Sequence, residues 1–324
     1  MLQLSVATNY YDRTAALFDG RVRIEGCETH HVLLEAPEMF HRTLGFEEFD
    51  VTEMSLGGHV VTTARGDAAY VGIPAFPLRM FRHSGVYIRT DRGIDRPEDL
   101  RGRTIGVPEY QQTANVWVRG ILHDEYGVDV RSIKWRSGGL EEAGRKERTP
   151  LVLPAEIDWT TIPQDQTLSD LLECGDLDAI ISPRAPSCFS RKNRAPHVGR
   201  LFPDYPTDEL AYFQRTKIFP IMHIVGIRKA LVERHPWLAV SVFKAFLKAR
   251  KMIDLRHGSI LPWGGDEYDR MCKLLGPDYW SYHLGPNRQV IETFARYAHT
   301  QGLADRIVAP EELFVPSTLD LSRN

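Results

Sequence analysis

The chain has 324 residues, of which 43% are hydrophobic and 26% charged, and its net charge is −3. That is long enough for two cores and typical of a soluble globular protein. The charge gives no basic field for nucleic acid, and no apolar run approaches the ~18–20 residues of a membrane span. Cys27, Cys174, Cys188 and Cys272 are scattered without CxxC spacing and read as free thiols, not a disulfide framework. The N-terminal stretch MLQLSVATNYYDR has neither a basic n-region nor an apolar h-region. No secretory signal is read there, and the expected location is cytoplasmic.

In chain order, Leu2, Leu4 and Val6 alternate with polar residues and predict a half-buried strand, followed by a helix through Ala15–Phe18. Val22–Gly26 and His30–Leu34 form a second β region, and Pro37 opens a helix through Leu44. Phe49–Ser55 is a strand that runs out into Leu56-Gly57-Gly58-His59. Ala69–Pro74 and Val86–Arg89 are further strands, and the alternation points to an open α/β sheet.

Asp95–Leu122 begins a second unit. Pro97–Leu100 is a helical turn with acidic residues early, Thr104–Val107 a short buried strand ended by Pro108. Tyr110–Thr113 then leads into a helix with Val116, Trp117, Ile121 and Leu122 on one side. A loop entering a helix N-terminus offers free N–H groups to a carboxylate, although the same pattern serves an ordinary strand-loop-helix unit. Val128–Trp135 reads as a strand, Gly138–Thr149 as a charged loop or exposed helix, and Gln166–Leu172 as a short helix. Asp178–Ile181 is a buried strand with the loop Ser182–Pro186 at its end. Residues 196–207 form a connection, and Asp208–Thr216 reads as helical. Ile218–Ile227 is strongly β-like, Arg228–Trp237 a helix with a stop, and Leu238–Leu255 an amphipathic helix carrying Val242, Phe243, Phe246, Leu247 and Ile253. The remainder is mostly helical.

This order resembles the type II periplasmic-binding-protein fold, through Asp99–Pro108, through Gly175–Ile180 and through the return strand before Arg228–Leu231. The resemblance implies two α/β lobes with a ligand cleft between them: residues 1–90 plus 218–324 as lobe one and 91–217 as lobe two. A narrower resemblance covers nearly the whole chain. Phe49–Ser55, Phe81–Ser84, Gly106–Ala114, Ser182–Pro186 and Phe219–His223 look like the 4,5-dihydroxyphthalate decarboxylases. That resemblance implies a carboxy-lyase of aromatic compound catabolism that takes one carboxyl from 4,5-dihydroxyphthalate as CO₂ and leaves protocatechuate, with no redox cofactor. The implied partner is a small aromatic carboxylate, with neither nucleic acid nor membrane. Self-association into a homo-oligomer and a bound divalent metal stay open. So do two other readings: a non-catalytic binding protein or sensor for a small aromatic carboxylate, and a different enzyme activity on the same fold.

The implied chemistry needs a proton donor above a ring carbon, cations or N–H groups for two carboxylates, and an acceptor near the hydroxyls. His223, at the strand that re-enters lobe one, is the first choice for the donor, because an imidazole titrates near neutrality. His83, beside Arg82, is the second. Glu53, a carboxylate in a β segment, is read as an acceptor for a ring hydroxyl or as the holder of a histidine. Arg13, His59, Arg82, Tyr110, Thr113 and Arg184 are the expected substrate contacts, Arg184 because ligands of open α/β sheets lie at the carboxyl ends of strands. Each also has a plain structural reading: packed histidine, helix cap, edge residue or surface ion pair. No HExxH, Walker A, GxGxxG or GxSxG motif is present, and the adjacent pair His30-His31 points to opposite faces of a strand.

Overall fold

A computed structural model describes residues 1–147, 150–190, 195–253 and 261–321. Along the chain come β1 (Leu2–Thr8), α1 (Asp12–Phe18), β2 (Cys27–Leu33), α2 (Ala36–Phe46), β3 (Val51–Ser55), α3 (Leu56–Arg65) and β4 (Tyr70–Arg79). Next are β5 (Val86–Arg89), β6 (Thr104–Val107), α4 (Thr113–Tyr126), β7 (Lys134–Ser137), β8 (Trp159–Thr161), α5 (Leu168–Cys174), β9 (Ala179–Ile181), β10 (Val198–Arg200) and α6 (Tyr205–Thr216). The described part closes with β11 (Ile221–Arg228), α7 (Lys229–Arg234), α8 (Leu238–Lys251), α9 (Gly264–Leu275), α10 (Arg288–Thr300) and the single turn α11 (Pro310–Leu313). No described helix is long and apolar enough to cross a membrane.

The chain forms two compact units, one of residues 1–80, 218–292 and 308–324, the other of 81–217 and 293–307. The first holds a five-stranded sheet in the order β2-β1-β3-β11-β4. β1 pairs in parallel with β2 and β3, and β11 lies antiparallel to both β3 and β4. As a central strand with both faces covered, β11 is nearly continuous apolar sequence: Ile221, Met222, Ile224, Val225 and Ile227 are buried. Against β4 and α1, α8 buries Leu238, Val242, Phe243, Phe246 and Leu247 on one stripe. The second unit holds a six-stranded sheet, β10-β5-β9-β6-β7-β8, in which β9, β6, β7 and β8 run parallel and β5 antiparallel to β9.

Several expectations are corrected. Residues 81–90 belong with the second unit, because β5 bonds to β9 and β10 of that sheet. Residues 293–307 also join it. There Trp117 of α4 meets Phe294 and Tyr297 with ring centroids 5.3 and 5.7 Å apart. The approach requires a glycine: a Cβ on Gly120 would lie 2.1 Å from the Tyr297 ring. Leu56-Gly57-Gly58-His59 is the first turn of α3 and not an open run-out. Ser55 caps it by accepting from Gly58 N–H at 3.4 Å, and burial of Leu56, Val60, Val61 and Ala64 offsets the low helix propensity of the glycines. Val128–Trp135 is broken by a 3₁₀ turn at Val130–Ser132, so the strand starts only at Lys134. Gly138–Glu147 is turns and coil, and residues 148–149 of that stretch lie outside the described residues. The long amphipathic helix ends at Lys251, which leaves Ile253 beyond it and residues 254–255 outside the described residues. The four cysteines are free.

Candidate active site

In the first unit, Val225 lies opposite Glu53 and His223 opposite Ser55. Glu53 and His223 are therefore diagonal neighbours on one face of the sheet. His223 Nδ1 lies 2.5 Å from Glu53 Oε1. The same oxygen accepts the Tyr11 hydroxyl at 2.8 Å, and Oε2 accepts the Asn9 backbone N–H at 3.0 Å. The parallel register sets Ala7 beside Thr52, so the chain leaving β1 passes directly over Glu53. Glu53 is wholly buried. Burial alone would raise its proton affinity, but the His223 bond and charge, the Asn9 N–H and the Tyr11 hydroxyl outweigh that and hold it below the usual carboxylate range. The phenol of Tyr11 is pushed up by burial and then by the Glu53 charge, so it stays a donor. With the carboxylate charged, Nδ1 of His223 is the donor in their bond. The His223 side chain is 12% exposed, its ring meets the edge of Phe40 at 4.9 Å, and its Nε2 has no hydrogen bond among the described residues. The result is an imidazole gripped at one nitrogen and open at the other.

Arg13 stands next to this group. Its guanidinium is sandwiched between the rings of Tyr11 and Trp280, 4.1 and 4.5 Å from their centroids. It pairs with Asp12 at 2.9 Å and donates to the Pro77 carbonyl. A cavity of about 310 Å³ is walled by Asp12, Arg13, Arg250, Tyr268, Tyr279 and Trp280. Cations and ring faces are the lining that suits a flat anion. Neither Glu53 nor His223 is part of that wall. Glu53, with its oxygens taken by protein donors, fits the histidine-holding role, and burial keeps a ring hydroxyl from it.

His59 lines a small cavity with Phe40, Met54 and Thr62, apart from the one walled by Arg13. It is 3% exposed within α3, and Nε2 bonds the Leu313 carbonyl at 2.8 Å, which ties the helix to the C-terminal segment. Burial lowers its pKa to about 4, so it stays neutral.

In the second unit, Arg82 and His83 adjoin Glu209. Glu209 accepts the His83 backbone N–H at 3.0 Å. The His83 ring packs between Phe202 and Tyr212, is sealed from solvent and has neither nitrogen hydrogen-bonded. Burial, with Arg215 nearby, lowers its pKa to about 4. A sealed neutral imidazole has no path for delivering a proton, so His83 is corrected from catalytic candidate to packed residue. Arg82 is largely buried, which lowers its pKa to about 10, still a cation near neutral pH.

Tyr110 is likewise not free to stack on a ligand. It is fully buried against the Arg119 guanidinium, 3.8 Å from the ring centroid, and bonds the Gln301 carbonyl at 3.3 Å. Its backbone N–H, one of the donors expected to cradle a carboxylate, meets Glu147 Oε1 at 2.5 Å. Burial, and then the nearby Glu109, raise Glu147 to about 7. Glu109 in turn pairs with Arg145 at 2.7 Å. Thr113 opens α4 and is buried. Arg184 is exposed on the loop after β9, where its backbone N–H meets Ser182 Oγ at 3.2 Å.

Of the residues expected at the site, the structure brings Glu53, His223 and Arg13 into one neighbourhood. Reading the sequence for site residues missed Tyr11, Phe40, Glu147 and Glu209. For Tyr11 a signal existed, since it leaves the carboxyl end of β1 beside β3, where Glu53 sits. Among the described residues no group of three or more His, Cys, Asp or Glu side chains could hold a metal ion.

No family model matches the chain. It is 43% identical over 325 residues to a 4,5-dihydroxyphthalate decarboxylase of Comamonas testosteroni, with 98% of each chain covered. It is 45% identical over 203 residues to a 4,5-dihydroxyphthalate decarboxylase of Pseudomonas putida, covering 63% of this chain and 78% of the other. Among solved structures, the aliphatic sulphonate binding protein SsuA of Escherichia coli aligns with a TM-score of 0.56 at 13% identity, covering 100% of this chain and 94% of that one. A putative sulfonate-binding SsuA of Methylobacillus flagellatus KT aligns at 0.55 and 15%, covering 98% and 92%. The structural likeness establishes a periplasmic-binding-protein-like fold, and the sequence identity along both full lengths establishes that the chain belongs to the 4,5-dihydroxyphthalate decarboxylase family.

Proposed function

We propose that this protein is a carboxy-lyase that converts 4,5-dihydroxyphthalate to protocatechuate and CO₂ by protonating the ring carbon that bears the departing carboxyl, with His223 as the proton donor. Each ring hydroxyl of that substrate is para to one carboxyl. Electron density pushed from the oxygen reaches the carboxyl-bearing carbon, which takes the proton from His223 Nε2. The C–CO₂ bond then breaks, its electron pair restores the aromatic ring, and the hydroxyl is regenerated. One proton has replaced one carboxylate, and the imidazole is reloaded from solvent. Glu53 holds Nδ1–H, aligns the ring so that Nε2 is the outward nitrogen, and stabilises the imidazolium before transfer. Arg13, beside Tyr11 in the same unit, is the cation assigned to a substrate carboxylate.

The observation that carries this mechanism is the imidazole held at Nδ1 by a buried, charge-stabilised carboxylate while Nε2 is unbonded. The test is turnover. Purified protein is incubated with 4,5-dihydroxyphthalate while CO₂ and protocatechuate are followed, and His223→Gln is expected to cost at least ~100-fold in kcat, the span of a general acid. Wild-type turnover in His223→Gln would remove His223 as the donor. Tight binding by the wild type without turnover would replace the enzyme reading by that of a receptor for aromatic carboxylates.

A further inference from the structure

We propose that Tyr11 is a positioning residue of this site, whose hydroxyl shares Glu53 Oε1 with His223 Nδ1–H and so sets both the charge of the carboxylate and the proton affinity of the imidazole. The proposal rests on the reading of His223 as proton donor. Three donors converge on Glu53, and two of them meet on the same oxygen, at 2.5 and 2.8 Å. A carboxylate oxygen has two lone pairs, so Oε1 is saturated. Each donor that draws charge from that oxygen weakens its hold on the others.

Tyr11 is placed for this by contacts that do not involve its hydroxyl. Its backbone N–H meets Thr14 Oγ1 at 3.1 Å, and its carbonyl accepts from Ala15 N–H at 2.8 Å, so the main chain is pinned at the start of α1. Its ring carries the Arg13 guanidinium, itself clamped by Trp280. The titratable and charged groups around the Tyr11–Glu53 pair are His223 from β11, Arg13 from α1, Glu35 before α2, and Tyr282 after α9. Of these, His223 alone shares a hydrogen bond with the carboxylate.

Tyr11→Phe keeps the ring and the Arg13 stack and deletes one O–H. Glu53 then keeps more of its charge on Oε1, the imidazolium is held more tightly, and its proton is given up less readily. The limb of the pH–rate profile on which the donor loses its proton is expected to move upward by about one unit, roughly the effect of one charge-assisted hydrogen bond. kcat on the plateau below that limb, where the donor is fully protonated, is expected to fall severalfold and by no more than about tenfold, with KM within about threefold. Replacing tyrosine by fluorotyrosine makes a stronger donor and shifts the limb the other way, which keeps the test alive if the phenylalanine variant fails to fold. The His223 titration midpoint, read by NMR on histidine-labelled protein without substrate, should move in the same directions. If His223→Gln is inactive and both Tyr11 substitutions leave limb and midpoint at their wild-type positions, Tyr11 is a spacer and the proposal fails while the donor reading stands. If His223→Gln turns over normally, the donor reading fails, and with it the catalytic part of this proposal. An unmoved NMR midpoint would then overturn the electrostatic part as well.

Discussion

Glu53→Gln is the substitution that probes the dyad most directly. The native carboxylate presents two oxygens to three donors, from Asn9, Tyr11 and His223. An amide presents one oxygen and one NH₂. With the oxygen toward His223, the NH₂ faces the Asn9 N–H. With the amide flipped, the NH₂ faces Nδ1 and forces the imidazole into its neutral tautomer. In both orientations the imidazolium loses the counter-charge 2.5 Å from it. A charge pair ~4 Å apart at an effective dielectric of ~20 is worth about 4 kcal/mol, which bounds the effect. The rate is expected to fall by roughly 10²–10³, or about 2.7–4 kcal/mol at ~1.36 kcal/mol per decade. KM should change by less than about threefold, because the residue is buried away from substrate. Stability should change little near neutral pH. The mismatched donor costs about 1–3 kcal/mol, offset by release of a buried charge.

Acid melting gives the second readout of the same variant. The folded pKa of Glu53 is depressed, so its stabilising contribution is present above the unfolded carboxylate value near ~4.3 and is lost as pH falls through the folded value. Glutamine does not titrate, so the variant should lose less stability than wild type across that window. Initial rates of CO₂ release between pH 5 and 9, with thermal melts from pH 7 down to 3, cover both readouts. A variant within threefold of wild-type kcat, with an unchanged acid profile, would refute the reasoning.

Gly120→Ala drives a methyl into the Tyr297 ring, with a starting separation of 2.1 Å. Overpacking of about 1–3 kcal/mol should exceed the ~1 kcal/mol gained in helix propensity and lower Tm by several degrees, whereas an unchanged melt would contradict the packing of residues 293–307 on α4. Glu147→Gln tests the raised carboxyl in the loop that follows β7. Its folded value near 7 lies above the unfolded one, so wild-type stability should decline as pH rises from about 4.5 through 7. The glutamine variant should gain on wild type over that interval in urea titrations at successive pH values, and parallel curves would refute the assignment.

The parts of this protein legible from sequence were those in which a local pattern has one structural solution. The apolar run from Ile221 to Ile227 fits a central strand and little else, and Asp99–Pro108 with Gly175–Ile180 marked the second unit in order. What failed had a local pattern overridden from far along the chain. Gly57-Gly58 reads as a loop, yet the burial of Val60 and Val61 winds it into α3. His83 and Tyr110 carry functional chemistry in sequence, but burial against Phe202, Tyr212 and Arg119 removes them from a ligand's reach. His223 and Glu53 are 170 positions apart, and nothing local in either segment announces that one strand register makes them neighbours. Glu147 was unreadable for the opposite reason. A carboxylate in a charged stretch looks like solvated surface until Tyr110 N–H is found against it.

The position of β11 has a consequence for how the molecule is made. It lies between β3 and β4, and those two strands are synthesised well over a hundred residues ahead of it. As the chain emerges from the ribosome, the lane between β3 and β4 stays vacant until the whole stretch from Phe81 to Lys217 has appeared. Until then β3 and β4 each present an unpaired edge, the kind of surface that recruits the wrong strand from another molecule. The imidazole arrives on the strand that fills the gap. Insertion of that late strand closes the sheet and brings His223 to Glu53 in one event, so a nascent chain stalled before Ile221 would carry Glu53 and Tyr11 but no imidazole to pair with them.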